Sequence, residues 1–233
     1  MKVLVFTAAI LVLVNFSGCS QPAGSAGKQA FKTDVRVGGS CEGCKAIYES
    51  VVPFEKSDWI DTLPDYFDSG PKMEISGIVY KRDGKTPAPN VVLYIYHTDQ
   101  AGKYATRGNE KGWGRRHGYI RGWMKTNEKG AYKFYTIKPA SYPQSKIPAH
   151  IHPIIKEPGI NEYWIDEYLF ENDVFLTAQE RENQKQHGGN GIILLTSKDG
   201  LLVGKRDIIL GLNVPGYPDD RSAKLIFATN SRR

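Results

Sequence analysis

An all-β fold, specifically an antiparallel β-sandwich with an irregular N-terminal arm and one short helix, is what this chain predicts. Three observations point there. Short apolar or alternating runs begin at Pro71, turn signals break them at short intervals, and a single stretch reads as a helix. The 233 residues suffice for a sizeable core, and their composition is ordinary for a globular protein.

Lys72–Arg82 alternates and ends at Asp83-Gly84, a hairpin signal. Asn90–His97 (NVVLYIYH) is a strong strand with Val91, Leu93, Ile95 and His97 on one face and Val92, Tyr94 and Tyr96 on the other. A Gly-rich basic loop runs to Gly122. Strands follow near Trp123–Thr126, over Ala131–Ile137 after a turn at Asn127–Gly130, and over His150–Ile155. Tyr163–Phe170 is apolar and aromatic. Leu176–His187 reads as the helix, stopped by Gly188-Gly189-Asn190-Gly191. Gly191–Thr196, Asp199-Gly200 and Leu201–Gly211 form a terminal hairpin pattern. Residues 45–70 show no clean period, so Trp59, Leu63, Tyr66 and Phe67 are expected to pack as an irregular arm. The expected organisation is a signal segment over 1–18, a tether over 19–40, the arm over 41–72, the sandwich over 73–213 and a tail over 214–233.

The formal net charge is +6, with no Lys/Arg block and no nucleic-acid-binding motif, so no nucleic-acid partner is expected. Met1-Lys2 followed by the apolar run Val3–Val14 has the form of an export signal, too short to span a bilayer. Phe16-Ser17-Gly18-Cys19 resembles the lipobox of bacterial lipoproteins. That resemblance implies cleavage before Cys19, lipidation there, and a chain anchored to a bacterial membrane and facing the periplasm or cell exterior. An ordinary secretory signal is the alternative, and it also places the protein outside the cytoplasm. The Gly-, Ser- and Ala-rich residues 20–40 read as a flexible tether.

Two further cysteines stand in Cys41-Glu42-Gly43-Cys44. In an oxidising compartment the pair is expected as a disulfide, a local clip. A redox role would call for a βαβ pattern that does not follow, and a four-cysteine zinc site lacks two ligands.

The chemistry concentrates in Lys138–Pro153 (KPASYPQSKIPAHIHP). His150 and His152 are two apart in a strand and point to one face. Tyr142 is held between Pro139 and Pro143. Two imidazoles and an oxygen donor suit a transition metal, although a lone His-x-His in a sandwich strand is more often surface decoration.

From about Met73 to Leu212 the chain resembles the catalytic domain of intradiol ring-cleavage dioxygenases, such as catechol 1,2-dioxygenase and protocatechuate 3,4-dioxygenase. Four places carry the likeness: Gly77-Ile78-Val79 through Asp83-Gly84-Lys85-Thr86-Pro87; Val91–His97 with its Gly102-Lys103-Tyr104 exit; Thr136-Ile137-Lys138-Pro139-Ala140-Ser141-Tyr142-Pro143; and Pro148-Ala149-His150-Ile151-His152. The resemblance implies a non-haem Fe(III) held by two tyrosines and two histidines. Tyr142, His150 and His152 match three of these ligands. Tyr119, in Tyr119-Ile120-Arg121-Gly122, is the expected fourth and the displaceable one, with Tyr104 and His117 as alternatives. The implied activity is cleavage of a small aromatic diol between its hydroxylated carbons with O2.

Two positions depart from the family pattern. Ile147 stands where characterised members place an arginine, and Glu167 where they place a glutamine. Both changes weaken stabilisation of anionic charge. Arg121, Lys146 and Arg115 are candidate compensating cations, and Tyr119, Arg121 and Glu167 are the expected catalytic set. The departures keep an alternative open, a metal-binding member that senses or binds without cleaving, or that oxygenates a different diol. A third possibility is a transthyretin-like or immunoglobulin-like adhesion module, in which Tyr142, His150 and His152 would not converge. Trp113 is a pocket candidate, Trp123 a core residue, His97 a sheet residue, and His187 a charge at a helix end.

Overall fold

Alternation along Lys72–Tyr80, buried at every second residue, fixes the central strand of one sheet. The computed structural model describes residues 36–218. The expected signal segment, Cys19, residues 20–35 of the tether and residues 219–233 of the tail lie outside the described residues. In chain order the strands are β1 (Ile60–Thr62), β2 (Lys72–Tyr80), β3 (Val92–His97), β4 (Arg121–Lys125), β5 (Ala131–Ile137), β6 (His150–Lys156), β7 (Tyr163–Trp164), β8 (Tyr168–Phe170), β9 (Ile192–Ile193), β10 (Thr196–Lys198), β11 (Leu201–Lys205) and β12 (Ile208–Ile209). Two short helices, α1 (Gly114–His117) and α2 (Ala178–Glu182), interrupt them.

The strands form two stacked sheets. One runs β1-β5-β2-β11-β10 with β12 also on β2; the other runs β4-β3-β6-β8-β9 with β7 on β6. The fold is therefore an all-β sandwich, but a mixed one rather than purely antiparallel. β1 lies parallel to β5, β11 and β12 parallel to β2, and β9 parallel to β8. Alternation within a strand carries no information on its direction, so such pairings are invisible in the pattern. The terminal hairpin forms between β10 and β11, across Asp199 and Gly200, both at positive φ. The residues just before it belong elsewhere, because β9 joins the other sheet.

The expected helix over Leu176–His187 is realised only as α2, capped by the Thr177 side chain accepting from Glu180 N at 3.1 Å. Beyond it the backbone is claimed by tertiary partners. Gln186 N donates to Asp166 Oδ2 at 2.6 Å, and Asn213 Nδ2 donates to Lys185 and Gln186 carbonyls. α1 carries no periodic signal and was not expected.

Ile75, Leu93, Met124, Phe134, Ile151 and Tyr168 belong to the core between the sheets. A second apolar cluster covers the outer face of β3 and β6. There Cys44, Ala46 and Ile47, in a 3-10 helix over Cys44–Glu49, pack on Val92, Tyr94 and Ile154. The stretch read as an irregular arm thus supplies β1 to one sheet and a cover to the other. Trp123 Nε1 donates to Ile47 O at 2.8 Å and fastens this cover. Cys41 and Cys44 are disulfide-bonded at its start. At the chain's other end Tyr217 donates to the Glu157 carboxylate, so the described tail residues pack on the domain.

β2 meets one tight crossing. A Cβ at Gly77 would collide with the backbone carbonyl of Arg206, which also accepts from the Tyr132 hydroxyl at 2.8 Å. Gly77→Ala is expected to lower stability by about 1–3 kcal/mol, as overpacked cores do, read as a fall in the thermal or urea midpoint; an unchanged midpoint would show that the crossing yields freely.

Candidate functional site

Three segments bring the chemistry-bearing side chains together. β6 pairs with β3 in the register Tyr96↔His152 and His97↔Ile151. Its two-residue period sends Ile151 and Ile155 into the inter-sheet core and His150, His152 and Ile154 to the outer face. The loop from Lys138 to Ala149 returns Tyr142 over the same face. It is tied down where Thr98 Oγ1 donates to Ala140 O at 2.6 Å and Ser145 N to Tyr142 O at 3.2 Å.

Gly102 brings in the third segment. Asp99 Oδ1 accepts from Ala101 N at 2.8 Å and Lys103 N at 2.9 Å, closing a tight turn. Gly102 sits in that turn at φ 71°, where a Cβ would strike the Ser141 carbonyl. The turn can therefore press against the Tyr142 loop, and two residues on it delivers Tyr104.

Four polar atoms converge as a result. The Tyr104 hydroxyl is 2.5 Å from the Tyr142 hydroxyl and 2.7 Å from His152 Nε2. The Tyr142 hydroxyl is 3.1 Å from His150 Nε2 and 3.5 Å from His152 Nε2, and the two Nε2 atoms are 3.1 Å apart. Two donors bound at a right angle, with metal bonds of about 2 Å, stand about 2.8 Å apart, so these separations suit one central ion. The imidazoles are also prepared from behind. His150 Nδ1 is 2.7 Å from the Pro148 carbonyl, so it carries the proton and leaves Nε2 a free lone pair. His152 Nδ1 faces Glu167 Oε1 at 3.5 Å, ion-pair range rather than a tight hydrogen bond. Burial pushes the His150 pKa down to about 4, so its ring is neutral at pH 7. Burial raises the Tyr104 and Tyr142 phenols above their ordinary value, and Tyr104's hydrogen bond lowers Tyr142 in part. Desolvation pushes Glu167 up, but its contact with His152 outweighs it and holds the carboxyl at about 2. Among the described residues no three His, Cys, Asp or Glu side chains are grouped to hold a metal ion; half of the donors in this cluster are phenols.

Tyr119 does not join the cluster, and Tyr104, its alternative, does. The Tyr119 hydroxyl donates to Asp68 Oδ2 at 2.6 Å, and its ring lies 4.0 Å from the Arg107 guanidinium. Arg121 is also elsewhere than expected, ion-paired to Glu49 at 2.7 Å in a separate cleft that Tyr119 lines too. Ile147 is 49% exposed, and Glu167 backs His152. Lys146 and Arg115 are exposed and line neither of the clefts beside the cluster.

Two adjoining clefts open on the cluster and share Glu42, Tyr96 and His152. One, of about 270 Å³, also has Tyr104, Tyr142, Trp113, Arg116 and His117 on its walls; the other, of about 190 Å³, has Trp164 and Glu167. Trp113 therefore lies where a pocket residue was expected, and Trp123 packs in the outer cluster. Tyr96, Arg116 and Glu42 were not singled out from the sequence. Tyr96 had a usable signal, since it precedes His97 on the face opposite Leu93 and Ile95. Its ring stacks on His152 at 4.6 Å and on His117 at 3.8 Å. His97 lies buried behind the site, with Nε2 2.7 Å from Thr136 Oγ1, which in turn donates to Asp65.

The placement of Tyr119 has a pH consequence. Burial and its hydrogen bond to Asp68 push its phenol up to about 12. A group raised in the folded state contributes stability that is complete below the unfolded value of about 10 and lost as pH climbs through the folded one. Asp68→Asn is expected to move the ionisation of Tyr119 down and to flatten the alkaline loss of stability. Ultraviolet difference titration against Tyr119→Phe reads the midpoint, and an unmoved midpoint would contradict the assignment.

The family model described as dioxygenase (Dioxygenase_C) matches residues 48–187, more than half of the chain. The search of curated proteins found no match to the chain. Among solved structures, the chain is similar to the dioxygenase domain of a dioxygenase–carbohydrate-binding protein fusion from the cellulolytic bacterium Streptomyces sp. SirexAA-E, at 21% identity and a TM-score of 0.50, over 69% of this chain and 94% of that one. It is similar to catechol 1,2-dioxygenase from Acinetobacter sp. ADP1 at 19% identity and a TM-score of 0.51, over 71% of this chain and 62% of that one. For Acinetobacter radioresistens catechol 1,2-dioxygenase the values are 15%, 0.50, 66% and 57%. The chain thus spans about three fifths of the length of these catechol 1,2-dioxygenases, and at such identities the likeness is one of fold. With the family model covering most of the sandwich and its neighbours sharing that fold, the chain belongs to the intradiol ring-cleavage dioxygenase family.

Proposed function

We propose that this protein is a non-haem Fe(III) intradiol dioxygenase that opens the ring of a catechol-type aromatic with O2. One observation carries the reading: Tyr104, Tyr142, His150 and His152 direct two phenol oxygens and two imidazole Nε2 atoms at one place. A free phenol ionises near pH 10, but coordination to a trivalent cation stabilises phenolate at neutral pH. Anionic oxygen donors suit Fe(III), the metal that the family typically uses.

Iron bound there would supply Lewis acidity toward the two oxygens of a diol. Tyr142, His150 and His152 would hold it, with Glu167 and the Pro148 carbonyl orienting the histidines from behind. Tyr104 and Tyr142 both lie on loops outside β6; by the family resemblance the first tyrosine in the chain is the displaceable ligand, and here that would be Tyr104. Its oxygen takes a proton from a substrate hydroxyl, the role expected of Tyr119 from the sequence. The rings of Tyr96 and Trp113 flank an aromatic substrate in the larger cleft.

The competing reading is a metal-binding member that does not cleave rings. Ile147 favours it, because an exposed isoleucine supplies no fixed cation. Oxygen uptake with catechol, protocatechuate, hydroxyquinol and larger polyphenols decides between the two, and a ring-opened product rejects the non-cleaving version.

Iron-loaded protein is expected to show a burgundy tyrosinate-to-Fe(III) band. Tyr104→Phe and Tyr142→Phe should each weaken or shift that band and cut turnover by more than the about 10–100-fold that outer-shell changes cost. Tyr119→Phe should leave both intact. A colourless protein that takes up no iron, or a band lost in Tyr119→Phe alone, sinks the assignment.

We also propose that the protein is exported and anchored by lipid on Cys19. Cells fed a labelled fatty acid should label the wild type and not Cys19→Ser; equal labelling of both would refute the anchor.

A further inference from the structure

We propose that Arg116 is the specificity-determining cation of the cleft, and that Glu42, presented by the disulfide clip, occupies it until an aromatic acid bearing vicinal hydroxyls takes its place. The proposal rests on the ring-cleavage reading above and names its substrate class.

The observations are these. Arg116 and Glu42 both line the larger cleft, together with Tyr96, Tyr104, Tyr142 and His152, and among the described residues Arg116 is the one Arg or Lys on its walls. Their side chains form an ion pair through Arg116 Nη1 and Glu42 Oε1. The Arg116 guanidinium lies 5.7 Å from the Trp113 ring, which holds it beside the cleft. Glu42 lies inside the loop closed by Cys41 and Cys44, and Gly43 of that loop packs against the His117 ring. His117 stacks on Tyr96, and Tyr96 on His152, so the clip is braced on the same stack of rings as the site.

The two charges are 63% and 72% exposed. An ion pair this open contributes little net free energy, so exchanging one carboxylate for another costs little. The contact is single-pronged, whereas a guanidinium carries five N–H donors in a planar fork suited to a bidentate carboxylate. A substrate whose ring is already held by its diol end and by the aromatic walls delivers its carboxylate at high effective concentration. Glu42, on a short clip, competes only as a single exposed side chain.

The test compares wild type, Arg116→Gln and Glu42→Gln as iron-loaded protein. Three probes are used: catechol, 3,4-dihydroxybenzoate, and the amine-bearing 3,4-dihydroxyphenethylamine. Binding is read from the change in the visible band and turnover as KM against kcat. Arg116→Gln is expected to weaken 3,4-dihydroxybenzoate about tenfold, the scale of one charge-assisted pair, while catechol shifts by less than about twofold and kcat holds. Glu42→Gln is expected to tighten the acid severalfold. Equal weakening of catechol and the acid, a weaker acid in Glu42→Gln, or wild-type preference for the amine overturns the proposal. Absence of iron uptake would instead defeat the ring-cleavage reading. The proposal is then decided by calorimetry of 3-hydroxybenzoate and phenol on the metal-free protein, where Arg116→Gln must weaken the acid alone. Both side chains are exposed, so neither variant threatens folding.

Discussion

The outer face of the second sheet has to be covered, and that requirement organises both the fold and the site. β3 turns Leu93 and Ile95 into the inter-sheet core, and Val92 and Tyr94 outward. Left open, those outward side chains would each forgo about 1.5–3 kcal/mol of burial. The Cys44–Glu49 helix closes over them. Glu49 then reaches the loop after β3 and the start of β4, accepting from Trp113 N at 2.8 Å and from Arg121 Nη1 at 2.7 Å. One packing solution therefore places the clip, the α1 loop and the outward histidines of β6 around a common cleft. The site lies on the outside of the sandwich, walled by a segment with little regular structure of its own.

The strands and three of the four residues of the cluster were legible from short stretches of sequence. His150 and His152 read correctly as a same-face pair, and Tyr142 lies beside them on a proline-flanked loop, since each placement depends on a few adjacent residues. Tyr104 was harder to read. Its position follows from Gly102 approaching the Ser141 carbonyl, a contact between segments about forty residues apart. Tyr119 had the more persuasive local setting beside Arg121, yet it lies at the edge of a different cleft, paired with Asp68. Strand direction and the single turn of α1 were out of reach for the same reason: neither leaves a periodic trace.

Long-range polar contacts explain another part of what the pattern concealed. The predicted helix over Leu176–His187 was reasonable on propensity, but Asp166 and Asn213 capture the backbone near Gln186. Asp166 O in turn accepts from the buried Arg206 at 2.7 Å, and the Arg206 guanidinium lies 4.5 Å from the Tyr168 ring. A buried cation needs such partners, and they meet only part of the need: Arg206 Nε and Nη2 are buried with no hydrogen-bond partner among the described residues.

The two departures from the family pattern take on a different sense in the folded chain. Glutamate in place of glutamine at 167 looked like a loss of a neutral donor beside substrate. Its carboxylate instead faces His152 Nδ1, where a negative charge makes the imidazole a better electron donor through Nε2. Held at about 2, it stays ionised across the physiological range. The missing arginine at 147 leaves an exposed isoleucine, but the cleft has not lost its cation: Arg116 lines it from α1. The charge has moved from the β6 side of the site to the loop side, where a carboxylate of the protein's own already meets it. Electrostatic control of the cleft thereby depends on the clip and α1, two segments whose residue pattern carries no sign of function.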